Sequence, residues 1–403
     1  ALPNKVKKRH LLDYSIFIPY LILSIVGLIM VYSSTSALQV MKGFSPTSFV
    51  INQVAFWVVG LVAMFFIYKM KTSVFQNRSF IMFAIAVITV MVLAVRIPGI
   101  GKEINGARGW IEIGGFSMQP AEYLKIMVVW YLSYILARRQ KTINGGMDQF
   151  KQAAGRPLML VFVLIALVAI QPDFGNAAIL TLITIVMVLA SGINYMYTYL
   201  VGGLGILGSI TAIQLLIMSK GKIFPARYQY IYNRFAVFKN PFLDERNLGH
   251  QLANSYYAIS NGGWFGKGIG NSVQKKGFLP EAHTDFIFAI TLEELGIIGG
   301  LAILGLLMFM IARIILVGVR SKKPFNSLMC IGIGTMLLIQ VFINVGGITG
   351  IIPLTGITFP FLSQGGNSLL IISIAVAFVL NISADETRQK LENEYYLSLE
   401  QNQ

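Results

Sequence analysis

One cysteine, three histidines and a charged fraction of only 12% set the first limits on this 403-residue chain. A single cysteine, Cys330, allows no internal disulfide and no cysteine-rich zinc site. The histidines, His10, His250 and His283, fall in no ligand spacing such as HExxH, so a metal caged by protein alone is not expected. The shortage of charge is more telling. With 55% hydrophobic residues and a mean hydropathy of +0.69, the chain cannot cover a water-facing surface with polar groups.

What is present instead is a series of apolar runs, each about the length that crosses a bilayer. Ten can be drawn, at 14–34, 49–68, 79–95, 120–137, 157–171, 175–191, 194–218, 285–313, 327–346 and 367–383. Helices are the expected form, because hydrocarbon offers no partner for an unpaired backbone amide. The expected fold is therefore all-α and polytopic, one integral membrane domain over 1–403. The first run is too long for a signal peptide and ends in VYSSTS, so it is expected to be an uncleaved span.

Acidic residues are also scarce, 17 against 32 Lys and Arg, and the net charge of +15 could suggest nucleic acid. Its distribution argues otherwise. Clusters at Lys5 to Arg9, Lys69 to Arg78, Arg138 to Arg156, Arg313 to Lys323 and Arg388 to Lys390 all fall on one side of the alternating spans. The short loops opposite hold only Lys42, Arg96, Lys102 and Arg108. Cytoplasmic loops carry the excess of positive charge, which puts both termini and a C-terminal tail, 384–403, in the cytoplasm, with no nucleic-acid partner. The long segment 219–284 between spans seven and eight then lies outside. It carries nine Lys or Arg and is a candidate for an anionic ligand.

Charges inside or beside the spans are costly unless paired or facing water. Glu122 and Lys125 lie three apart on one helix face, with Pro120 suited to the first helical position. They form either a self-contained ion pair or a cation for an anionic head group, held by its glutamate. Before them, GKEINGARGWIEIGGFSMQP (101–120) reads as an interfacial loop, with Arg108 and Trp110 at the head groups, or as a re-entrant segment lining a cavity. NGGWFGKGIGNSVQKKG (261–277) is Gly-rich and basic but lacks the GK[ST] ending of a phosphate loop. Lys275 and Lys276 are either solvated or point charges for a diphosphate.

The densest ionisable stretch is GFLPEAHTDFIFAITLEELG (277–296). Thr284 or Asp285 could cap the helix that follows, or Asp285 could be a base. Glu293 lies eight residues on, about 12 Å along a helix and about 80° round it, so the two carboxylates do not form an acid–base pair. Glu293 and Glu294 are expected in a buried network.

Four blocks carry a family resemblance: LLDYSIFIPYLILSIVGLIMVYSSTSA at the start, NGARGWIEIGGFSMQPAEYLKI (105–126), the run from GHQLANSYY to LEELG (249–296), and NVGGITGIIPLTGITFPFLSQGGNSLL (344–370). Together they resemble the SEDS family (shape, elongation, division and sporulation), in order along the chain, and its division type more than its elongation type. The resemblance implies a GT-C-like bundle with the long extracellular loop between helices seven and eight. It implies an inverting peptidoglycan glycosyltransferase that joins lipid II units into β-1,4 glycan outside the plasma membrane, at the division septum. The family's catalytic aspartate falls on Asp285, in His283-Thr284-Asp285-Phe286. Arg108, Trp110, Glu122 and Lys125 match its other motifs. Ser363 matches its serine loop, where Gln364 replaces the usual tyrosine.

An acceptor hydroxyl is a weak nucleophile, so a carboxylate that takes its proton assists attack, and fixed cations suffice for a diphosphate leaving group. Arg108, Lys125, Arg234 and Lys275 are the candidate cations. Glu281, His283, Thr284, Ser363 and Gln364 are candidate substrate contacts. No tightly bound cofactor is expected; Mg²⁺ or Mn²⁺ could accompany the diphosphate. The resemblance implies as partners a class B penicillin-binding protein transpeptidase and division proteins of the FtsQLB type. An elongation-type polymerase, a lipid II flippase and a non-catalytic division scaffold are the alternatives.

Overall fold

The computed structural model describes residues 8–403 apart from 105–106, 114–115, 144–145, most of 194–228, 239, 245–248 and 402–403. Among the described residues, nine of the ten apolar runs are helices. They are α1 (Tyr14–Met41), α2 (Ser48–Lys69), α3 (Arg78–Ala94), α4 (Pro120–Arg138), then after the short α5 (Gln140–Ile143), α6 (Met147–Ile170) and α7 (Phe174–Ala190). Two helices of the long loop follow, α8 (Gln229–Phe238) and α9 (His250–Gly262), before α10 (Ile287–Arg320), α11 (Pro324–Ile348) and α12 (Gly366–Gln401). The tenth run, 194–218, lies largely outside the described residues. Among the described residues, six helices, α1, α2, α6, α10, α11 and α12, are long and apolar enough to cross a bilayer by length and composition.

Helix α4 is the centre of the bundle. It touches α3, α6, α7, α11 and α12, and almost every side chain from Pro120 to Leu136 is buried. Trp130 donates its indole N–H to the Phe75 carbonyl (2.7 Å) and packs edge-on against Phe75 and tilted against Phe378, which locks α4 to α12.

Several features differ from the hydropathy pattern. Helix α6 starts at Met147 rather than 157, because its first turns are amphipathic instead of uniformly apolar. Helix α12 does not stop at 383 but continues through the expected tail to Gln401. Ion pairs one turn apart, Asp385 with Arg388, Arg388 with Glu392 and Lys390 with Glu394, support that polar extension. The Gly-rich segment before α4 is not a plain loop. It is an antiparallel meander of β1 (Gly101–Ile104), β2 (Ala107–Ile113) and β3 (Phe116–Met118), the one sheet among the described residues of an otherwise helical fold. Lys102 and Glu112 pair across β1 and β2 at 2.6 Å on its exposed face.

Helix α10 is broken. Gly296 adopts φ 72°, ψ 178°, which interrupts the hydrogen-bond ladder between an upper segment, Ile287–Leu295, and a lower one running to Arg320. The groups released are taken up by the turn after α9. Lys267 and Gly268 N–H donate to the carbonyls of Glu293 and Glu294 (3.0 and 2.9 Å), while Ile297 and Ile298 N–H donate to the carbonyls of Gly263 and Trp264 (2.9 and 3.2 Å). The backbones come so close that a Cβ on Gly266 would lie 2.2 Å from the Glu294 oxygen, and one on Gly296 would lie 2.4 Å from the Gly266 nitrogen. Gly262 and Gly266 of NGGWFGKG therefore serve close backbone contact with α10.

The two glutamates at the break fasten the chain beyond that turn. Glu293 accepts from the Ser272 hydroxyl and from Val273 and Gln274 N–H (3.2 and 3.3 Å). Glu294 accepts from the Ser33 hydroxyl on α1 (2.7 and 2.8 Å) and pairs with the Lys275 ammonium at 2.7 Å. Lys275 is 3% exposed, neither solvated nor facing a ligand, which corrects both readings of it. Removing one partner of a buried pair leaves an uncompensated charge. Glu294→Ala should therefore cost about 3–5 kcal/mol, while the double change Glu294→Leu with Lys275→Met should stay near wild type. Thermal unfolding of the two in detergent checks this, and equal losses would count against the pairing.

Candidate active site

The segment Glu281 to Phe286 is a tight turn, not the start of α10. Glu281 takes a left-handed φ of 55°, and its carbonyl accepts from both Thr284 N–H (3.1 Å) and Phe286 N–H (3.2 Å). Thr284 also donates its hydroxyl to the Glu281 carboxylate at 2.7 Å. Phe286 occupies the cap position of α10 with no side-chain cap, so neither Thr284 nor Asp285 caps the helix.

Three consecutive carbonyls of this turn are held from the other side. The His283 carbonyl accepts from Gln364 N–H (2.8 Å), that of Thr284 from the Ser363 hydroxyl (2.7 Å), and that of Asp285 from the Asn344 amide (2.7 Å). Asn344 donates equally to the Ile357 carbonyl, and the Ser363 hydroxyl accepts from Phe359 N–H (2.7 Å). Gln53 on α2 completes the clamp through the Ser363 carbonyl and Gly365 N–H. Ser363 thus positions the turn with a hydroxyl already engaged in both directions, and the Gln364 contact is made by its backbone.

The Asp285 side chain is left out of this clamp, which fixes its main chain. It is part-buried, and among the described residues no hydrogen bond reaches its carboxylate. Burial pushes its pKa up, the neighbouring Glu281 charge adds to the rise, and Arg234 on α8 opposes it, leaving the carboxyl at about 7. Arg234 is oriented by donating to the Leu354 carbonyl at 3.0 Å. Gly356 lies between the two: its missing Cβ would be 3.4 Å from Asp285 Oδ2 and 3.5 Å from Arg234 Nη2. The space between carboxylate and guanidinium is kept open by a residue with no side chain and a φ of +77°.

A second aspartate was not legible as a site residue. Asp173 caps α7, accepting from Asn176 N–H (3.1 Å), the Asn176 amide (2.9 Å) and the Gln119 amide (2.9 Å). Burial still raises its pKa, and its charge reaches Asp285 on one side and Glu122 and Lys125 on the other. The signal available was an acid just before an apolar run, in QPDFG (171–175), the same arrangement as in HTDF. Glu122 and Lys125 form the ion pair, 2.7 Å long with the ammonium 1% exposed, in the first turns of α4 behind Pro120 at its first position. Nearby, Tyr123 donates to Asn367 at the start of α12 (3.0 Å), and Asn367 donates to Ser117 on β3.

Other expected residues are more dispersed. Trp110 lies on β2, opposite Lys102 and partly exposed; Arg108 is on the same strand, opposite Glu103, and its side chain lies outside the described residues. His283 packs its ring against Phe49 at 5.6 Å, and burial lowers its pKa against the pull of Glu281. Lys275 belongs to the α10 break rather than to this site. Among the described residues, no group of three His, Cys, Asp or Glu could hold a metal ion.

The family model described as Cell cycle protein, covering FtsW, RodA and SpoVE, matches residues 13–388. The chain is 45% identical to the probable peptidoglycan glycosyltransferase FtsW of Lactococcus lactis over 98% of both chains. It is 36% identical to stage V sporulation protein E of Bacillus subtilis, over 92% of this chain and 96% of that one. Among solved structures, a chain of a peptidoglycan synthase complex that coordinates polymerization and crosslinking shares the fold. Its TM-score is 0.70 at 23% identity, over 93% of this chain and 98% of that one. The rod shape determining protein RodA of Thermus thermophilus gives a TM-score of 0.63 at 22% identity, over 93% and 97%.

Gly356→Ala tests the gap. The methyl group fills the space between carboxylate and guanidinium and the positive φ adds about 1–2 kcal/mol of strain. Catalytic turnover is expected to fall on the order of 100-fold, as for a misplacement of about 1 Å at a reacting centre. Steady-state rates beside thermal unfolding separate the two effects; unchanged turnover would show that the gap is not used.

Proposed function

The chain belongs to the FtsW, RodA and SpoVE family of cell cycle proteins, and from that premise we propose that it is an inverting peptidoglycan glycosyltransferase of the septal wall. Its substrate is lipid II, a disaccharide-pentapeptide on an undecaprenyl diphosphate, polymerised on the outer face of the plasma membrane. The observation that carries this reading is the Asp285 carboxylate, free of hydrogen bonds among the described residues, raised to about 7, and facing Arg234 across Gly356.

Asp285 takes the proton of the acceptor sugar hydroxyl as that oxygen attacks the donor anomeric carbon. The bond to the diphosphate breaks on the opposite face, so an α-linked donor becomes a β-linked glycan with one carboxylate. Arg234 stabilises the charge that develops on the leaving diphosphate. Lys125 lies deeper and is neutralised by Glu122, so its part is to balance the Asp173 side of the site. A divalent cation, Mg²⁺ or Mn²⁺, would enter on the diphosphate rather than on a protein cage. The orientation follows the basic loops, with both termini cytoplasmic and the starts of α4, α7, α10 and α12 outside. A class B penicillin-binding protein supplies crosslinking, and proteins of the FtsQLB type regulate the pair.

Asp285→Asn keeps the shape and removes the proton acceptor. Glycan polymerisation from purified lipid II, with the cognate penicillin-binding protein present, should drop by about 10²–10⁴-fold; retained polymer would dismiss Asp285 as the base. The active form is the ionised carboxylate, so the rate should rise with pH through the carboxyl's value of about 7 and decline below it. A rate independent of pH between about 5 and 8 would contradict this assignment.

A further inference from the structure

The turn that plugs the α10 break carries two large aromatic side chains that no described residue covers. Trp264 is 66% exposed and Phe265 84% exposed, although the backbone beneath them is held by hydrogen bonds from Ile297 and Ile298. Gly263 and Gly266 flank them in left-handed conformations, at φ 53° and 78°. The aromatics are thus presented outward by a rigid turn, not left over from a loose loop.

Two yardsticks give the height of this turn in the bundle. Asp13 and Arg313 pair at 3.8 Å near one end. Ser33 stands twenty residues up α1 from Asp13, about 30 Å along a helix, and it hydrogen-bonds Glu294 just before the break. Gly296 itself stands seventeen residues up α10 from Arg313, about 25 Å. The hydrocarbon core of a bilayer is about 30 Å thick, so with the charged pair at one boundary the turn lies at the other. Below it, Ile298 and Leu301 continue an exposed apolar strip along α10, and the exposed Lys267 follows it in sequence. Aromatics at the head-group level with a lysine beside them are the composition that seats a protein in a membrane interface.

We propose that the Gly263–Gly266 turn is an interfacial membrane anchor whose Trp264 and Phe265 insert into the phospholipid leaflet on the site's side of the bilayer. Because the same turn is stitched to both halves of α10, its seating fixes the height of the segment that leads to Asp285. The inference concerns lipid contact, and its test does not depend on the polymerase reading.

The probe is tryptophan fluorescence of the full chain in nanodiscs of phosphatidylglycerol and phosphatidylcholine, the latter either plain or brominated on acyl carbons near the head group. Subtracting the Trp264→Phe spectrum isolates Trp264 from Trp57, Trp110 and Trp130. Brominated lipid is expected to cut the Trp264 signal about twofold, and aqueous iodide to cut it far less. Phe265→Trp placed in the Trp264→Phe chain should behave the same way. Strong iodide quenching without bromine quenching would put the turn in water. Shielding from both quenchers would mean that protein covers it. Either result overturns the proposal.

Discussion

The interruption of α10 at Gly296 is the constraint from which the rest of the structure follows. In hydrocarbon an unpaired backbone group costs several kcal/mol, so a helix can break there only where other main chain meets the released donors and acceptors. The turn after α9 meets four of them, and it can approach only because glycine stands on both sides. Once that turn is fixed, Glu293 and Glu294 hold the chain from Ser272 to Lys275, and Ser33 ties the whole to α1. The turn bearing Asp285 is therefore anchored from below through the break and from above by Ser363, Gln364 and Asn344. Neither anchor touches the carboxylate, which leaves it free while its backbone is rigid.

The same economy separates the carboxylates near the site. Glu122 is spent on Lys125, Asp173 accepts three hydrogen bonds, Glu281 holds Thr284, and Glu293 and Glu294 hold the loop. Asp173 and Asp285 both stand before a helix that starts at the same end, yet only Asp173 receives a backbone N–H at the cap. Burial raises the pKa of both, and the rise is opposed at Asp173 by hydrogen bonds and at Asp285 by the Arg234 charge.

Hydropathy was enough to place nine helices, because each must present an apolar run to lipid or to its neighbours. It failed at Met147 and beyond residue 383, where helix continues through polar sequence held by amphipathic packing or by local ion pairs. The sheet at 101–118 was hidden because its strands are short and its glycines read equally well as loop. The HTDF motif singled out Asp285, but helical spacing did not foresee that it stands in a turn before α10, which begins at Ile287. Lys275 was misjudged because its partners, Glu294 and Ser33, are 19 and 242 residues away in sequence, and no local pattern encodes such contacts. Gly356 was invisible for the opposite reason: its role is the absence of a side chain at a point defined by two other residues.

The height of the site bears on which bond can be acted upon. Glu294 lies level with Ser33, about 30 Å above the Asp13–Arg313 pair, at the limit of the hydrocarbon. Asp285 precedes it by nine residues, seven helical steps and two outside the helix, which allows at most about 18 Å of further rise. That range begins at the edge of the hydrocarbon and extends through the head-group layer into the water beyond it. A lipid-linked diphosphate held at the interface would carry its first sugar in this same layer, with the scissile bond between anomeric carbon and phosphate oxygen. A base buried a turn lower would meet only the isoprenoid and the phosphates. One held higher would lose the partial desolvation that raises its pKa to about 7. On the proposed reading, reach and basicity are both met near the start of α10, where the break and the turn after α9 hold the chain that leads to Asp285.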